Sequence, residues 1–150
     1  MGMNDSDWMA EAIAQAVKAK ASGEVPVGAV LVDCNNQLLG SGYNQMIQHQ
    51  DPTAHAEIQA IRQAAKTVKN YRLNDATLYI TLEPCTMCAG AIIHARLKRI
   101  VFGARDFKTG AAGSVCNVFH PALSNHVVQV DEGVLEDRCA KLLTDFFKTR

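Results

Sequence analysis

The chain has 150 residues, of which 48% are hydrophobic and 20% charged, as in a globular protein with one hydrophobic core. Its 15 basic and 15 acidic side chains give a net charge of zero, which at first argues against a nucleic-acid partner. No apolar stretch is long enough to cross a membrane and the first residues are acidic, so we expect one domain over 1–150, cytoplasmic and with no membrane partner.

The first half of the chain is predicted to contain a helix, a β-hairpin and a second helix. Apolar residues at helical spacing predict the first helix, which Gly23 can end. Two apolar runs, 25–33 and 38–44, are separated by the polar turn CNNQ, a pattern typical of paired strands. After a polar loop, residues 53–66 have helical periodicity, with Thr53 as the expected N-cap.

The second half of the chain alternates strands with helices. Strands are predicted at 76–82 and 99–104, and the helix 85–95 lies between them with Pro84 near its first turn. A Gly-rich loop follows, and then a fifth strand at 126–131 and a last amphipathic helix. Strands separated by helices imply parallel crossovers, so the sequence predicts an α/β fold built in layers.

Potential metal ligands stand at the starts of two predicted helices. His55 opens the motif HAE, and Cys85 and Cys88 form a C-x-x-C pair 30 residues further on. A C-x-x-C pair alone occurs in redox couples, structural zinc sites and catalytic zinc sites. Two cysteines and one histidine suit zinc, and no fourth ligand stands at a recognisable spacing, which leaves a position for water. The set therefore favours a catalytic site over a structural one.

A candidate proton carrier, Glu57, lies two residues after His55. A water activated by zinc needs a base to move its proton, and a carboxylate is suitable. Taken singly, His55 is more often a satisfied polar residue and Glu57 more often a complement to the helix dipole. Together the two motifs match the H-x-E…P-C-x-x-C signature of the zinc nucleobase deaminases.

Several longer segments carry a resemblance to one family. The segments PVGAVLV, DPTAHAEIQAIRQA, NYRLNDATLYITLEPCTMCAGAIIHAR and VFGARDFKTGAAGS resemble the bacterial tRNA adenosine deaminases of the zinc cytidine/deoxycytidylate deaminase superfamily, from about residue 24 to 147. The resemblance implies a cytidine-deaminase-like three-layer α/β/α sandwich with a mixed five-stranded sheet. It also implies a homodimer with one zinc ion per subunit, and deamination of the wobble adenosine in a tRNA anticodon stem-loop to inosine.

The resemblance also assigns roles to the residues of the proposed site. His55, Cys85 and Cys88 would bind zinc, and Glu57 would pass a proton from the zinc-bound water to the adenine while hydroxide attacks C6. Asn44 would hydrogen-bond the nucleoside, and Val27 and Leu82 would form apolar walls. The Ala56 N–H and the Pro84 carbonyl would clamp the base, and the charged Asp106 and Lys108 would lie in the loop beside the RNA.

The charges are unevenly distributed along the chain. Residues 61–110 carry nine bases and three acids, a net charge of +6, between segments of net −5 and −1. A solvated helix surface is the simpler interpretation of such a segment, but the resemblance makes RNA contacts more plausible. The candidate phosphate contacts are the cations Arg96, Lys98, Arg99 and Arg105. The candidate contacts to flanking bases are His120, Asn125 and His126.

Two alternatives remain open at this level. The zinc motif alone also fits a deaminase of free bases, nucleosides or nucleotides, of the guanine or cytidine type, and a non-catalytic zinc module that binds RNA is the least favoured. The loop 105–114 and the basic segment favour an RNA substrate, and Glu57 favours catalysis. The other three cysteines, Cys34, Cys116 and Cys139, are interpreted as packing residues.

Overall fold

The computed structural model describes residues 2–149, and it contains a five-stranded mixed sheet with helices on both faces. The strand order is β2-β1-β3-β4-β5. In chain order the elements are α1 (Asp5–Ala21), β1 (Gly28–Val32), β2 (Leu38–Tyr43), α2 (Met46–His49), α3 (Ala56–Val68), β3 (Thr77–Leu82), α4 (Thr86–His94), β4 (Arg99–Ala104), a 3-10 turn (Pro121–Leu123), β5 (Gln129–Glu132) and α5 (Glu136–Lys148). The predicted α/β/α fold with a mixed five-stranded sheet is confirmed.

Strand pairing brings two chain segments to the same edge of the sheet. β1 pairs antiparallel with both β2 and β3, while β3, β4 and β5 run parallel to one another. The carboxyl ends of parallel β3 and β4 therefore lie side by side. Cys85 follows β3 and the loop 105–114 follows β4, so the sheet places the C-x-x-C helix beside that loop.

The sheet separates two hydrophobic cores. On one face, α3 and α4 cover Leu78 and Ile80, and on the other, α1 and α5 cover Tyr79 and Val101. Alternate residues of β3 thus point to opposite faces, and burial on both faces explains the continuous apolar run of β1. Among residues 2–149, no helix combines the length and apolar character that a membrane crossing requires.

Both helices that carry the motifs begin later than the sequence predicted. α3 has His55 at its N-cap position, and α4 has Cys85 there. Thr53 is therefore not the N-cap of α3, because its hydroxyl instead donates to Asp51 Oδ1 at 2.7 Å. Pro84 precedes the cap and lies outside the first turn. Neither cap side chain bonds its own helix, so both side chains project from the helix starts toward the same region.

Small residues let α3 lie directly on β2. Ala56, Ala60 and Ala64 are fully buried at a spacing of four residues, and they pack on Gly40 and Gly42. A Cβ atom added at Gly42 would lie 2.5 Å from the Ala56 carbonyl oxygen, a distance that no side chain tolerates. This backbone-to-backbone packing sets the position of the α3 N-terminus.

The cysteines outside the C-x-x-C pair differ in burial. Cys139 lies in the core between α5 and the sheet, as predicted. Cys34 and Cys116 are exposed, and the prediction that they are packing residues is wrong. Both lie in loops, Cys34 in the β1–β2 turn and Cys116 beyond β4, where the local sequence gives no burial signal.

Candidate active site

Three potential metal ligands converge where α3 and α4 begin. His55 Nδ1 lies 3.7 Å from Cys85 Sγ and 3.6 Å from Cys88 Sγ, and all three ligand atoms lie within 4.8 Å of one another. Zinc–sulfur bonds of about 2.3 Å and zinc–nitrogen bonds of about 2.0 Å place the ligand atoms of a tetrahedral site roughly 3.5 Å apart. The donor set and its spacing therefore fit a metal ion of this kind.

The electrostatics of the group favour a negative charge on Cys85. The hydrogen bond from Cys88 is the main reason that the pKa of the Cys85 thiol falls to about 4, although burial opposes it. The same hydrogen bond, followed by burial, raises the pKa of Cys88. The hydrogen bond with Cys85 also raises the pKa of His55. A thiolate is the form in which cysteine binds metals, so the site is prepared for a cation.

Glu57 lies in the first turn of α3 and is 4% exposed. Burial raises the pKa of its carboxyl group to about 7, against the opposing effect of a backbone hydrogen bond. A carboxyl group with a pKa near neutrality can both accept and donate a proton at physiological pH. Glu57 thus has the properties that proton transfer requires.

Glu57 and two of the potential ligands, His55 and Cys85, line a cavity of about 140 Å³, and the third, Cys88, is buried behind it. Four residues predicted to contact substrate also line it, namely Val27, Asn44, Leu82 and Asp106. The whole lining is Val25, Val27, Asn44, Met46, His55, Glu57, Leu82, Glu83, Cys85, Asp106 and Thr109. Residues from both halves of the chain thus enclose one space beside the potential metal ligands.

Asn44 is held at the cavity by two hydrogen bonds. Its Nδ2 donates to the Val25 carbonyl and its Oδ1 accepts from the Ala56 N–H, each at 3.0 Å. The Ala56 N–H that was predicted to contact the base is therefore donated to Asn44. An asparagine amide has a second N–H and a second lone pair, so Asn44 keeps a donor and an acceptor for a substrate.

Pro84 and Asp106 also have partners within the protein. The Pro84 carbonyl accepts the Ala111 N–H at 2.8 Å. The Asp106 carboxylate closes its own turn by accepting from the Lys108 N–H and from the N–H and hydroxyl of Thr109. Although burial opposes them, these hydrogen bonds lower the pKa of Asp106. Asp106 is thus ionised and fixed at the cavity wall.

A second, more open groove adjoins the cavity. It is lined by Val25, Leu82, Arg105, Asp106, Phe107, Lys108, Thr109, Leu143 and Phe147. Phe107 is 79% exposed, and the sequence interpretation did not select it. The sequence feature that could have identified Phe107 is an aromatic residue within an otherwise polar and Gly-rich loop.

The predicted cations are divided between the two edges of the sheet. Arg99 starts β4, at the edge opposite Cys85, and it bonds Asp5 at 2.8 and 3.0 Å and Asp131 at 2.7 Å. Its guanidinium is engaged in these ion pairs, and its role as a phosphate contact stays a prediction. Arg96 and Lys98 precede β4 at the same distant edge.

The remaining candidate RNA contacts also lie outside the cavity. His126 Nε2 donates to the Leu97 carbonyl at 2.6 Å, and this hydrogen bond holds the ring at the distant edge. Its contact with a flanking base stays a prediction. His120 Nδ1 accepts the Ala122 N–H and caps the 3-10 turn, and neither His120 nor Asn125 lines the cavity. Arg105 bonds Glu132 at 2.5 Å and lines the adjoining groove.

The sequence interpretation also missed Glu83, a buried carboxylate that is 2% exposed. It accepts hydrogen bonds from the N–H groups of Asp106, Ala112 and Ser114 and from the Ser114 hydroxyl. Burial alone would raise its pKa, but these hydrogen bonds outweigh burial and lower it. The available signal was an acidic residue at the end of a buried strand, directly before Pro84.

Comparisons with known proteins agree with this geometry. The sequence profile of the MafB19-like deaminase family matches residues 3–150. The tRNA-specific adenosine deaminase of Haemophilus influenzae is 54% identical over 146 residues, which cover 97% of this chain and 84% of that protein.

Solved structures of deaminases are also similar to this chain. A structure from a study of A-to-I editing by tRNA:A34 deaminases at the wobble position has a TM-score of 0.84 and 40% identity, covering 91% of this chain and 98% of that one. A guanine deaminase from Bacillus subtilis has a TM-score of 0.65 and 31% identity, covering 83% and 89%. The chain therefore belongs to the MafB19-like deaminases and, among them, to the tRNA-specific adenosine deaminases.

Proposed function

We propose that this protein is a zinc-dependent enzyme that hydrolyses adenosine to inosine at the wobble position of a tRNA anticodon. The observation that carries the proposal is the buried Glu57 carboxyl group, which lines one cavity with His55 and Cys85, two members of the ligand group that Cys88 completes. The 54% identity with a tRNA-specific adenosine deaminase supports the substrate.

His55, Cys85 and Cys88 would hold the zinc ion through one imidazole nitrogen and two sulfurs. When bound there, zinc supplies a Lewis acid that lowers the pKa of a bound water to roughly 7. Three protein ligands leave a coordination position for that water, as in other catalytic zinc sites. The thiolate of Cys85 and the N-termini of α3 and α4 complement each other electrostatically.

Glu57 would carry the proton during the reaction. It accepts one proton from the attacking water and delivers it to the adenine ring nitrogen. It then takes the second proton from the new C6 hydroxyl group and delivers it to the departing amine. The water oxygen forms a bond to C6, the bond from C6 to the amino nitrogen breaks, and ammonia leaves. A pKa of about 7 suits both halves of this cycle at neutral pH.

The cavity walls would orient the base. Asn44 would use its remaining donor and acceptor on the nucleoside, and Val27 and Leu82 would provide apolar walls. The Pro84 carbonyl, between the lining residues Glu83 and Cys85, would accept from the leaving amine. Asp106 and Lys108 would contact the neighbouring RNA. A nucleotide in an anticodon loop is unpaired and costs little to extrude, which suits a small enclosed cavity.

The direct test is incubation of the zinc-loaded protein with an anticodon stem-loop that carries adenosine at the wobble position. We expect inosine at that position, detected by sequencing or nucleoside mass spectrometry, and none at adenosines in the stem. Absence of inosine with zinc present would contradict the proposal.

A second candidate is deamination of a free base, and the similarity to a guanine deaminase at 31% identity favours considering it. Free guanine, cytidine and adenosine should be assayed beside the stem-loop. We expect the stem-loop to react with the highest kcat/KM, because the loop 105–114 and its groove extend the site beyond a single base. Faster turnover of a free base would reverse the assignment.

We also propose that the enzyme is a cytoplasmic homodimer. The family resemblance supports this. Light scattering should give twice the 16.3 kDa mass of one chain. A mass equal to one chain at micromolar concentration would contradict the dimer.

A further inference from the structure

Glu83 joins the start of the C-x-x-C helix to the loop after β4. Its side chain is 0% exposed, and its four hydrogen-bond donors all come from residues 105–114, which we call the rim segment. Three of these donors are backbone N–H groups, at 2.9 to 3.1 Å. The carboxylate is thus the acceptor around which the rim segment folds.

Backbone contacts strengthen this connection. The Glu83 N–H donates to the Ala104 carbonyl and the Ala111 N–H donates to the Pro84 carbonyl, each at 2.8 Å. Gly110 lies against the carboxylate, and a Cβ atom added there would lie 2.4 Å from Glu83 Cδ. The rim segment is therefore shaped closely around this side chain.

The rim segment forms part of the cavity wall. Asp106 and Thr109 line the cavity, and Lys108 and Phe107 extend the wall into the adjoining groove. Cys85 lies two residues after Glu83. Glu83 therefore determines how far the rim lies from the potential metal ligands.

A carboxylate is the side chain best matched to this position. All of its partners are donors, and an ionised carboxylate offers acceptors alone. A glutamine amide would turn an NH₂ group toward N–H groups, and an apolar residue would leave three buried N–H groups without a partner. The ionised carboxylate thus satisfies the donors of the rim segment, a role distinct from the proton transfer proposed for Glu57.

We propose that Glu83 is a positioning residue that holds the rim segment across the cavity mouth and thereby sets the affinity for the RNA substrate. This inference rests on the proposed function. It predicts that loss of the carboxylate weakens substrate binding while the metal ligands and Glu57 keep their chemistry.

The test compares Glu83→Gln with Glu132→Gln. Arg105 lies 3.8 Å from the Glu83 carboxylate and bonds the exposed carboxylate of Glu132 at 2.5 Å. The hydrogen bond of Glu132 is with this side chain, whereas Glu83 accepts from backbone N–H groups of the rim segment. With the anticodon stem-loop as substrate, Glu83→Gln should raise KM about tenfold, the effect of losing one or two buried hydrogen bonds. Its kcat should change much less, its zinc content should stay at one per chain, and Glu132→Gln should match the wild type.

Ser114→Ala provides a milder version of the same test, because it removes the hydroxyl donor and keeps the backbone N–H. Ser114→Ala should raise KM a few-fold. In the Glu83→Gln background it should raise KM little further, because the carboxylate that accepts from the Ser114 hydroxyl is already absent. If Glu83→Gln fails to fold, Ser114→Ala decides, and an unchanged KM overturns the proposal. A fall in kcat at constant KM, or loss of zinc, also overturns it.

Hydrogen exchange separates this inference from the proposed function. The Ala112 and Ser114 amides should exchange faster in Glu83→Gln than in the wild type, while amides of α3 stay protected. This measurement needs no substrate. If the wild type makes no inosine, the proposed function fails, and unchanged exchange at Ala112 and Ser114 would separately show that Glu83 does not hold the rim.

Discussion

Glu57 illustrates how one position can be unfavourable for folding and suited to chemistry. Its carboxyl group is buried and its pKa is raised to about 7. A surface glutamate would be fully ionised at neutral pH and would be a weak acid catalyst. Burial therefore accounts for the role proposed for this residue, and its neighbours His55 and Cys85 are two of the three potential metal ligands.

Glu57→Ala tests this role directly. We expect zinc content and the folded structure to be retained, because Glu57 is not one of the three converging ligand atoms. The rate of inosine formation should fall at least roughly 10²–10⁴-fold, the contribution of a general acid–base group. Single-turnover assays with zinc-loaded protein measure the rate, and metal analysis is the control. Wild-type activity in this variant would show that the proposed mechanism is wrong.

At the scale of elements, α3 is placed by its contact with two glycines of β2. Gly42→Ala would direct a methyl group at the Ala56 carbonyl oxygen and the Ala60 nitrogen, at 2.5 and 2.6 Å. These neighbours are backbone atoms, which cannot change rotamer as a side chain can. The N-terminus of α3 should therefore shift, and His55 should shift with it. We expect a loss of about 1–3 kcal/mol in the free energy of unfolding, as for other overpacked sites. Zinc should also be lost at lower chelator concentration.

Gly90→Ala is the matched control for that substitution. Gly90 lies in α4, the other ligand-bearing helix, and a Cβ atom added there meets nothing within 4 Å. Alanine favours a helix over glycine by up to about 1 kcal/mol, so stability should hold or rise and zinc should be retained. Equal zinc affinity in the two variants would show that α3 packing does not position His55.

The elements that the sequence predicted well have a strong periodic or local signal. Strand β4 has the predicted bounds 99–104, and both ligand motifs lie at helix starts as expected. Helix α2 has four residues, too few for a periodic pattern, and it was missed. Strand β5 starts three residues later than predicted, because the His126 ring bonds the Leu97 carbonyl and holds the preceding segment outside the ladder.

The sequence predicted those parts of the candidate site that lie in short local motifs. The grouping of His55 with the C-x-x-C pair follows from the types and spacing of the residues, and Glu57 follows from its place in the same helix turn. The partners of Glu83 lie 23 to 31 residues away, and no local pattern indicates them. Long-range hydrogen bonds of this kind depend on the parallel pairing of β3 with β4, which becomes known with the fold.

At the scale of the whole molecule, one ion-pair cluster ties the first helix to the sheet. Arg99 makes a bidentate contact with Asp5 and a further bond to Asp131, and the Tyr79 hydroxyl donates to Asp5. The hydrogen bond from Arg99 is the main cause of the lowered pKa of Asp5. The cluster therefore joins α1, β3, β4 and β5 at the edge opposite the cavity.

Asp5→Asn should lower the free energy of unfolding by about 1 kcal/mol at neutral pH, the upper range for partly exposed pairs. Because the folded pKa lies below the ordinary 3.8, this contribution is complete above that pH and is lost as pH falls through the folded value. Denaturant unfolding of both proteins at neutral and strongly acidic pH measures it. The two curves should converge in acid, and a difference that persists there would contradict the assignment.

The division of cations between the two edges of the sheet predicts which of them the RNA senses. Lys108 is exposed on the rim segment beside the cavity, whereas Lys98 is exposed before β4 at the opposite edge. A neutral protein has no net attraction for RNA, so affinity must come from cations near the site. Lys108→Ala should weaken stem-loop binding and reduce the slope of log K against log salt by about 0.7, the value for one contact with a single strand.

Lys98→Ala is the charge-matched control and should leave both the affinity and the salt dependence unchanged. Titrations at several salt concentrations in the Glu57→Ala background keep the RNA intact during the measurement. Equal losses in the two variants would mean that the RNA contacts both edges of the sheet. In that case the cavity would not be the centre of the RNA footprint, and the arrangement of charge around the rim segment would have no bearing on substrate binding.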